Sequence, residues 1–157
     1  MNFADTNWLE ALYFESPDPG QQAREATAQR FMRKHGGQLA VSQVVYLEAR
    51  NVFSRTAREE EPEEWRRFVA DFNALIYLDP LNWDFMRRDA FALFARYSHR
   101  ATLGTLDVAI LASAKLSGAT RLLSFDETLK ALSVSEDLDV FPPLNTEGKM
   151  LLKRLTE

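Results

Sequence analysis

The sequence predicts an α/β fold with a mainly parallel central sheet, and three observations support this. Short apolar runs alternate with longer stretches in which apolar residues recur at helical spacing. The boundaries between them carry Asp, Ser, Pro or Gly, which cap helices or break the chain. No internal repeat is visible. Repeated alternation of strand and helix is typical of a parallel sheet covered by helices.

The N-terminal part begins with a predicted strand. Met1 to Asp5 is mostly apolar and ends in an acid, and Trp8 to Tyr13 has the spacing of a short helix. Pro17 to Gly20 breaks the chain. The polar segment Gln21 to His35 predicts a second helix, which Gly36 and Gly37 end.

The middle of the chain repeats this order. Leu39 to Val41 is a predicted strand, Ser42 is a good N-cap, and Val44 to Phe53 is a predicted helix. The next helix is predicted to start at Pro62, with its apolar residues on one face. Those residues are Trp65, Phe68, Val69 and Phe72.

The C-terminal half again places strands before helices. A strand at Ala74 to Leu78 precedes a long helix whose predicted inner face carries Trp83, Met86, Ala90, Leu93, Phe94 and Tyr97. The remaining predicted elements are a helix Leu106 to Leu116 capped by Thr105, a strand Arg121 to Phe125, a helix Asp126 to Leu132, an edge strand Leu138 to Phe141, and a helix or tail from Asn145 to Glu157.

Composition sets limits on the classes of protein. A chain of 157 residues with 46% hydrophobic and 27% charged residues is typical of one globular domain. We predict that residues 1–143 form this domain and that residues 144–157 form a C-terminal helix or tail. The net charge of -4 argues mildly against a general nucleic-acid coat protein, and the absence of cysteine excludes disulfides and thiolate metal sites.

The sequence also predicts a cytoplasmic protein without a membrane segment. The first basic residue is Arg24, so the N-terminus lacks the positive region of a signal peptide. No apolar run approaches the ~20 residues that cross a bilayer.

Three acidic residues are predicted at the starts of helices. Asp5 and Asp126 follow strands, and Asp107 lies in the first turn of its helix. In a parallel α/β sheet, ligands gather at the C-terminal ends of the strands, where these helices begin. The alternative is that each acid caps its helix, and Ser124 to Glu127 fits a capping box.

Glu48 is less easily explained as a cap, because it lies in the middle of a helix near its apolar face. A buried carboxylate needs a cation, a hydrogen-bond network or a raised pKa. Arg87 is the alternative, as a salt-bridge partner. If all four acids converge, Mg²⁺ or Mn²⁺ would neutralise them, and such a site suits phosphodiester hydrolysis.

At these residues the sequence resembles the PIN-domain nucleases, in particular the VapC-like toxins of toxin-antitoxin pairs. The matching pieces are Asp5 to Asn7, Ser42 to Glu48, Leu106 to Ala114 and Leu122 to Asp126. The sequence departs from the family pattern in a polar region from Pro17 to Gly37 and in Ser124, where Thr is common.

The resemblance implies a three-layer α/β/α fold and a metal-dependent endoribonuclease that uses Mg²⁺ or Mn²⁺. Asp5, Glu48, Asp107 and Asp126 would be both the catalytic residues and the metal ligands, with Thr6 or Asn7 assisting through polar contacts. It also implies an RNA substrate, a homodimer, and inhibition by a small antitoxin protein whose segment enters the active-site groove.

Other residues and functions remain as alternatives. Arg96, His99 and Arg100 are candidate contacts to substrate phosphate, against the simpler interpretation of solvated surface residues. A catalytically inert PIN-like module that binds RNA or protein is the main alternative function. A phosphatase with Asp5 as nucleophile is a second, weakened because Asn7 stands where such enzymes place another acid.

Overall fold

The computed structural model describes residues 1–157 and contains a five-stranded sheet in which every strand pair is parallel. The strand order is β3-β2-β1-β4-β5, so the first strand lies at the centre and the last at one edge. The strands are β1 (Asn2–Ala4), β2 (Leu39–Ser42), β3 (Ile76–Asp79), β4 (Arg121–Leu123) and β5 (Asp139–Phe141). The predicted α/β class and the edge position of the last strand are confirmed.

Eight helices connect and follow the strands, and none of them is long and apolar enough to cross a membrane. The segment after residue 144 forms the last helix. The helices are α1 (Thr6–Tyr13), α2 (Pro19–His35), α3 (Gln43–Ala57), α4 (Glu63–Ala70), α5 (Trp83–Tyr97), α6 (Thr105–Leu116), α7 (Glu127–Ser135) and α8 (Thr146–Thr156).

Helices cover both faces of the sheet. Phe3 and Ala4 are successive residues of β1, so their side chains point to opposite faces, and both are fully buried. The same holds for Ala40 and Val41 of β2. A strand buried on both faces implies a layer of helices on each side, which is the predicted three-layer α/β/α arrangement.

The parallel register brings the C-terminal ends of the central strands to one edge of the sheet. Asp5 follows β1, Ser42 ends β2, and Ser124 follows β4; all three are buried. Asp5 and Ser42 cap the helices that start there, and Ser42 accepts a hydrogen bond from the backbone N–H of Val45 at 3.0 Å. This edge therefore carries the polar residues of the candidate site.

Three local predictions about helix starts are wrong. Thr105 is the first residue of α6, and Gly104 takes the N-cap position without a side-chain bond. Pro62 is the N-cap of α4 and not its first helical residue, so the helix begins one residue later than predicted. The capping box at Ser124 does not form, because Asp126 is the N-cap of α7. Several residue types fit a helix start, so the sequence leaves the position open by one or two residues.

Trp83 is also misplaced by the prediction. It is 60% exposed, whereas Met86, Ala90, Leu93 and Tyr97 of the same helix are buried as predicted. These four residues form one stripe along α5. Trp83 is the first residue of the helix, so it lies at the end of that stripe, where its side chain remains mostly exposed.

Candidate functional site

Asp5 is the most deeply buried acid at this edge of the sheet, with 4% of its surface exposed. It lies between β1 and α1, and both of its carboxylate oxygens accept hydrogen bonds. Oδ1 accepts from the backbone N–H of Thr6 at 2.7 Å, and Oδ2 accepts from the hydroxyl of Ser124 at 2.7 Å. These bonds fix the carboxylate and link the ends of the neighbouring strands β1 and β4.

Asn7 and Ser124 continue this link toward Asp126. The side-chain oxygen of Asn7 accepts the backbone N–H of Phe125 at 3.0 Å, and the hydroxyl oxygen of Ser124 accepts the backbone N–H of Asp126 at 3.0 Å. The start of α7 is thereby held against the start of α1. Ser124 thus links the backbone of Asp126 to the carboxylate of Asp5.

Asp126 caps its own helix, as its alternative interpretation proposed. Its Oδ1 accepts the backbone N–H of Leu129 at 2.8 Å. The second oxygen, Oδ2, has no hydrogen-bond partner within the chain. Capping and a role at the site are therefore compatible for this residue, since each role uses a different oxygen.

Asp107 and Glu48 approach from two further helices. Asp107 lies in the first turn of α6 and is half-buried. A Cβ atom at Gly104 would lie 2.9 Å from its Oδ2, so the absence of a side chain at Gly104 gives this carboxylate room. Glu48 is half-buried on the flank of the buried face of α3, which Val45, Ala49 and Val52 form in part.

No basic side chain neutralises any of the four acids. The ion pairs of the structure involve other residues throughout. The proposed partner of Glu48, Arg87, instead lies 3.6 Å from Asp84 on its own helix, and its side chain is 52% exposed. The salt-bridge alternative for Glu48 is therefore wrong, because Arg87 points toward solvent.

The acids affect one another electrostatically. Burial raises the pKa of Asp5 from 3.8 to about 7, against the lowering effect of its bonds from Ser124 and Thr6, and the charges of Glu48 and Asp107 raise it further. Burial, followed by the charges of Asp126 and Glu48, raises the pKa of Asp107 to about 6. Glu48 therefore lies near enough to affect both Asp5 and Asp107, and Asp126 lies near enough to affect Asp107. That the four acids, called the acid cluster below, act together as one site stays a prediction.

The residues of this cluster fit a hard divalent cation. The donors are carboxylate and hydroxyl oxygens, and two of the acids carry a charge that burial and repulsion disfavour. No three acidic or histidine side chains are near enough to enclose an ion by themselves. Mg²⁺ commonly keeps several waters and takes one or two carboxylates together with substrate phosphates, so an open cluster suits it.

Thr6 adds a further polar atom to this region. Its side-chain oxygen is buried and has no hydrogen-bond partner. Buried hydroxyls are normally bonded to protein or to ordered water. An unpaired hydroxyl one residue from Asp5 is consistent with the predicted polar contact of Thr6 at the site.

The three candidate phosphate contacts are separated in the structure. Arg96 donates two hydrogen bonds to Glu136, which also pairs with Lys115. Glu136 follows α7, ten positions beyond Asp126, so Arg96 binds at the end of α7 opposite the acid, roughly 15 Å along the helix axis. A phosphate at the acids is therefore out of its reach.

His99 and Arg100 lie in the segment that leads to Gly104 and α6. Arg100 donates to the backbone oxygen of Leu155 at 2.9 Å and to His99 Nε2 at 3.3 Å. Arg96 and Arg100 therefore bind different parts of the molecule. The sequence predicted that Arg96, His99 and Arg100 act together, because they lie within five residues of one another.

Two residues of the site arrangement went unrecognised as functional in the sequence. Ser124 was considered only as a capping-box residue and as a departure from the family pattern, yet its hydroxyl donates to Asp5 and accepts the backbone N–H of Asp126. Gly104 was not recognised either, although a side chain at this position would displace the carboxylate of Asp107. A Gly three positions before an acid at a helix start was the available signal.

Comparisons with known proteins agree with this geometry. The family model described as the PIN domain matches residues 3–134. No curated protein has significant sequence similarity to the chain.

Among solved structures, Mycobacterium tuberculosis VapC20, described as a sarcin-ricin loop cleaving toxin, is similar at a TM-score of 0.66 and 20% identity, over 83% of this chain and 94% of that one. VapBC2 from Rickettsia felis, bound to a DNA fragment from its promoter, has a TM-score of 0.64 and 13% identity, over 88% of this chain and 96% of that one. FitAcB from Neisseria gonorrhoeae has a TM-score of 0.58 and 15% identity, over 91% of this chain and 98% of that one.

At these identities the similar structures establish the fold alone. The family model, in contrast, spans most of the chain, including the end of β1, α3, α6 and the start of α7, which carry the four acids. The chain therefore belongs to the PIN domain family.

Proposed function

We propose that this chain is an endoribonuclease that depends on Mg²⁺ or Mn²⁺ and hydrolyses RNA phosphodiester bonds as the toxin of a toxin-antitoxin pair. The observation that carries the proposal is the cluster of Asp5, Glu48, Asp107 and Asp126, which no basic side chain neutralises. Membership of the PIN domain family and the similarity to a toxin described as cleaving the sarcin-ricin loop support it. Such an enzyme would act in the cytoplasm.

The residues have distinct parts in this proposal. The four acids would bind the cation partly directly and partly through water, and the cation would activate water and stabilise charge on the phosphoryl oxygens. Ser124 and the backbone N–H of Thr6 orient Asp5. Asn7 uses its oxygen to hold Phe125, which leaves its amide N–H groups as donors to substrate.

The phosphatase alternative fits the geometry less well. A nucleophilic aspartate needs a free oxygen that reaches the substrate. Both oxygens of Asp5 accept hydrogen bonds, and only 4% of the residue is exposed. Asp5 is therefore better suited to hold a cation than to attack phosphorus.

The proposal includes two protein partners. A small antitoxin is supported by the similarity to VapBC2, which is described as a complex with promoter DNA. A homodimer is supported by exposed aromatic residues on α5, since Trp83 is 60% and Phe91 is 64% exposed. Large aromatic side chains exposed together mark interaction surfaces.

The decisive experiment is cleavage of a structured RNA with Mn²⁺ and with EDTA. The wild type is compared with Asp5→Asn and Glu48→Gln, and with Asp84→Asn as a control whose side chain is 78% exposed. We expect Mn²⁺-dependent cleavage that each site variant reduces at least about 100-fold, as is typical when a preorganised charge is lost, and that the control retains.

Thermal unfolding gives a second readout that does not depend on activity. Mn²⁺ at about 100 times its Kd should stabilise the wild type by about 2.7 kcal/mol and stabilise Asp5→Asn much less. Cleavage that survives in EDTA or in both site variants would exclude the proposed nuclease. Mn²⁺ binding or RNA binding without cleavage would favour the inert PIN-like module.

A further inference from the structure

An open hollow of about 620 Å³ lies between the segment that joins α5 to α6 and the C-terminal helix α8. Seven residues line it, and none of them is acidic. Three of them, His99, Arg100 and Arg154, carry basic side chains. In a chain of net charge -4, a hollow of this composition is a local positive region.

The basic residues of the hollow are not committed to ion pairs. None of His99, Arg100 and Arg154 takes part in a salt bridge. Arg154 is exposed and makes no hydrogen bond from its side chain. The positive charges of Arg100 and Arg154 are therefore available to an anion from solvent.

Arg100 is held in place within the hollow. It is half-buried, and it donates from Nη1 to the backbone oxygen of Leu155 and from Nε to His99. A guanidinium carries five N–H donors, so the remaining ones can point toward a ligand without a large loss of side-chain freedom. Planar guanidinium groups suit phosphate oxygens, which they bind through two parallel hydrogen bonds.

The hollow adjoins the acid cluster along the chain. Leu103 lines it, and the next residue, Gly104, lies against Asp107. Consecutive Cα atoms are about 3.8 Å apart, so Leu103 on the rim of the hollow directly precedes the residue that lies against Asp107. An RNA strand that extends from the acids along this segment would bring a further phosphate to the hollow.

We propose that His99, Arg100 and Arg154 form a binding subsite for the phosphate backbone of RNA beside the acid cluster. The inference rests on the proposed ribonuclease function, and it brings in Arg154 of α8, which lies outside the residues matched by the family model. Leu103 and Ala101 are the lining residues without a polar side chain, so a polar, charged ligand suits the hollow better than an apolar peptide.

The test measures RNA affinity separately from cleavage. Fluorescence anisotropy of a labelled single-stranded oligoribonucleotide is recorded in EDTA, with Asp5→Asn as the parent protein so that the RNA stays intact. Arg154→Gln is compared with Lys153→Gln. Lys153 is the matched control, because it is the neighbouring residue, has the same charge, is exposed, does not line the hollow and lies 3.9 Å from Glu157.

We expect Arg154→Gln to weaken binding about 5- to 10-fold and to lower the slope of log Kd against log salt by about 0.7, the value for one phosphate contact on a single strand. Lys153→Gln should change the affinity less than about twofold, because its charge is screened and lies away from the strand. Equal effects of the two variants would overturn the subsite.

Failure of the subsite and failure of the nuclease are distinguishable. If wild-type protein does not cleave RNA but Arg154 still controls RNA affinity, the subsite stands and the nuclease proposal fails. If cleavage requires Asp5 but Arg154→Gln does not change the RNA affinity, the nuclease proposal stands and the subsite fails. Arg154-dependent binding of an acidic peptide, with RNA affinity unchanged, would also overturn the subsite.

Discussion

At the scale of single residues, the proposed functional role of Asp5 comes with a cost to stability. Its carboxylate is buried beside Glu48 and Asp107, so the folded chain disfavours its charge and raises its pKa to about 7. The hydrogen bonds from Ser124 and Thr6 offset part of this effect. A residue that stability alone would not favour at this position is best explained by a ligand that needs its charge.

The pH dependence of stability tests this interpretation. Between the unfolded pKa near 3.8 and the folded value of about 7, the folded chain binds more protons at Asp5 than the unfolded chain does. The contribution of Asp5 is therefore fully present below pH 4 and is lost as the pH rises toward 7. Asp5→Asn lacks this titration, so in EDTA its free energy of unfolding relative to wild type should rise by about 2 to 4 kcal/mol from pH 4 to pH 8.

Urea unfolding at a series of pH values measures the difference. The exposed Asp84→Asn serves as the control, and its difference from wild type should stay within about 0.5 kcal/mol at every pH. A constant difference between wild type and Asp5→Asn across this range would contradict a raised pKa for Asp5.

At the scale of elements, the short apolar runs predicted the strands because a fully buried parallel strand has few polar residues. Leu39 to Val41 is such a run, and β2 is buried along its whole length. Ser42 was recognisable as a cap from its residue type alone, and its hydroxyl does bond the N–H of Val45. The acid positions followed, because Asp5 and Asp126 stand directly after strands or at helix starts.

Contacts between distant elements were not predictable in the same way. The sequence does not indicate that Glu136 binds Arg96, Lys115 and Tyr97, since Arg96 and Tyr97 end α5, Lys115 lies in α6 and Glu136 follows α7. For this reason the sequence predicted Arg96 as a contact to substrate phosphate. Helical periodicity likewise placed Trp83 near an apolar face, but it does not tell where the covering element ends.

An ion pair within α7 also bonds the segment that leads to α8, and the sequence did not predict these contacts. Lys130 is 2% exposed, lies 2.5 Å from Glu127, and donates to the backbone oxygens of Pro142 and Pro143. Glu127 accepts the backbone N–H of Asn145, just before α8. Since Glu127 directly follows Asp126, the C-terminal helix is connected to the start of α7 at the candidate site.

Removing one partner of this pair should be costly. Lys130→Met would leave the carboxylate of Glu127, 18% exposed, without its cation, and we expect a loss of about 3 kcal/mol in the free energy of unfolding. The double variant Glu127→Gln/Lys130→Met leaves no unpaired charge and should recover most of that loss. Urea unfolding of both single variants and the double variant measures the coupling.

The surface pair Lys153 and Glu157 provides the comparison, because both side chains are largely exposed. Lys153→Met should cost less than about 1 kcal/mol. Should Lys130→Met prove no more harmful than Lys153→Met, the buried pair would not be what holds α8 in place.

At the scale of the whole molecule, the charges are separated into distinct regions. The acid cluster at the ends of β1 and β4 and the basic hollow beside α8 are connected along the chain by Leu103 and Gly104, which precede α6. A net charge of -4 conceals this arrangement. The mild argument from net charge against nucleic-acid binding therefore does not apply to this surface, since a polyanion responds to the local field.

The outer side of α5 carries aromatic residues that predict how two copies of the chain would associate. Trp83, Phe91 and Phe94 follow one another at spacings of eight and three residues, which places them on the same side of the helix. Trp83 and Phe91 are 60% and 64% exposed, and Phe94 is half-buried. We expect this side of α5 to form the centre of the proposed homodimer interface, because a buried aromatic centre is what specific interfaces share.

The dimer prediction is tested by Phe91→Glu, which places a charge at the centre of the expected interface. Met150→Glu on α8 is the matched control, because Met150 is also 64% exposed and apolar but lies on a different helix. Sedimentation equilibrium should show a dimer for wild type and Met150→Glu, and at least a 100-fold weaker association for Phe91→Glu, which corresponds to about 2.7 kcal/mol and is typical of a residue at an interface centre. A wild-type monomer would contradict the dimer itself, whereas a dimer that Phe91→Glu leaves intact would move the interface away from α5.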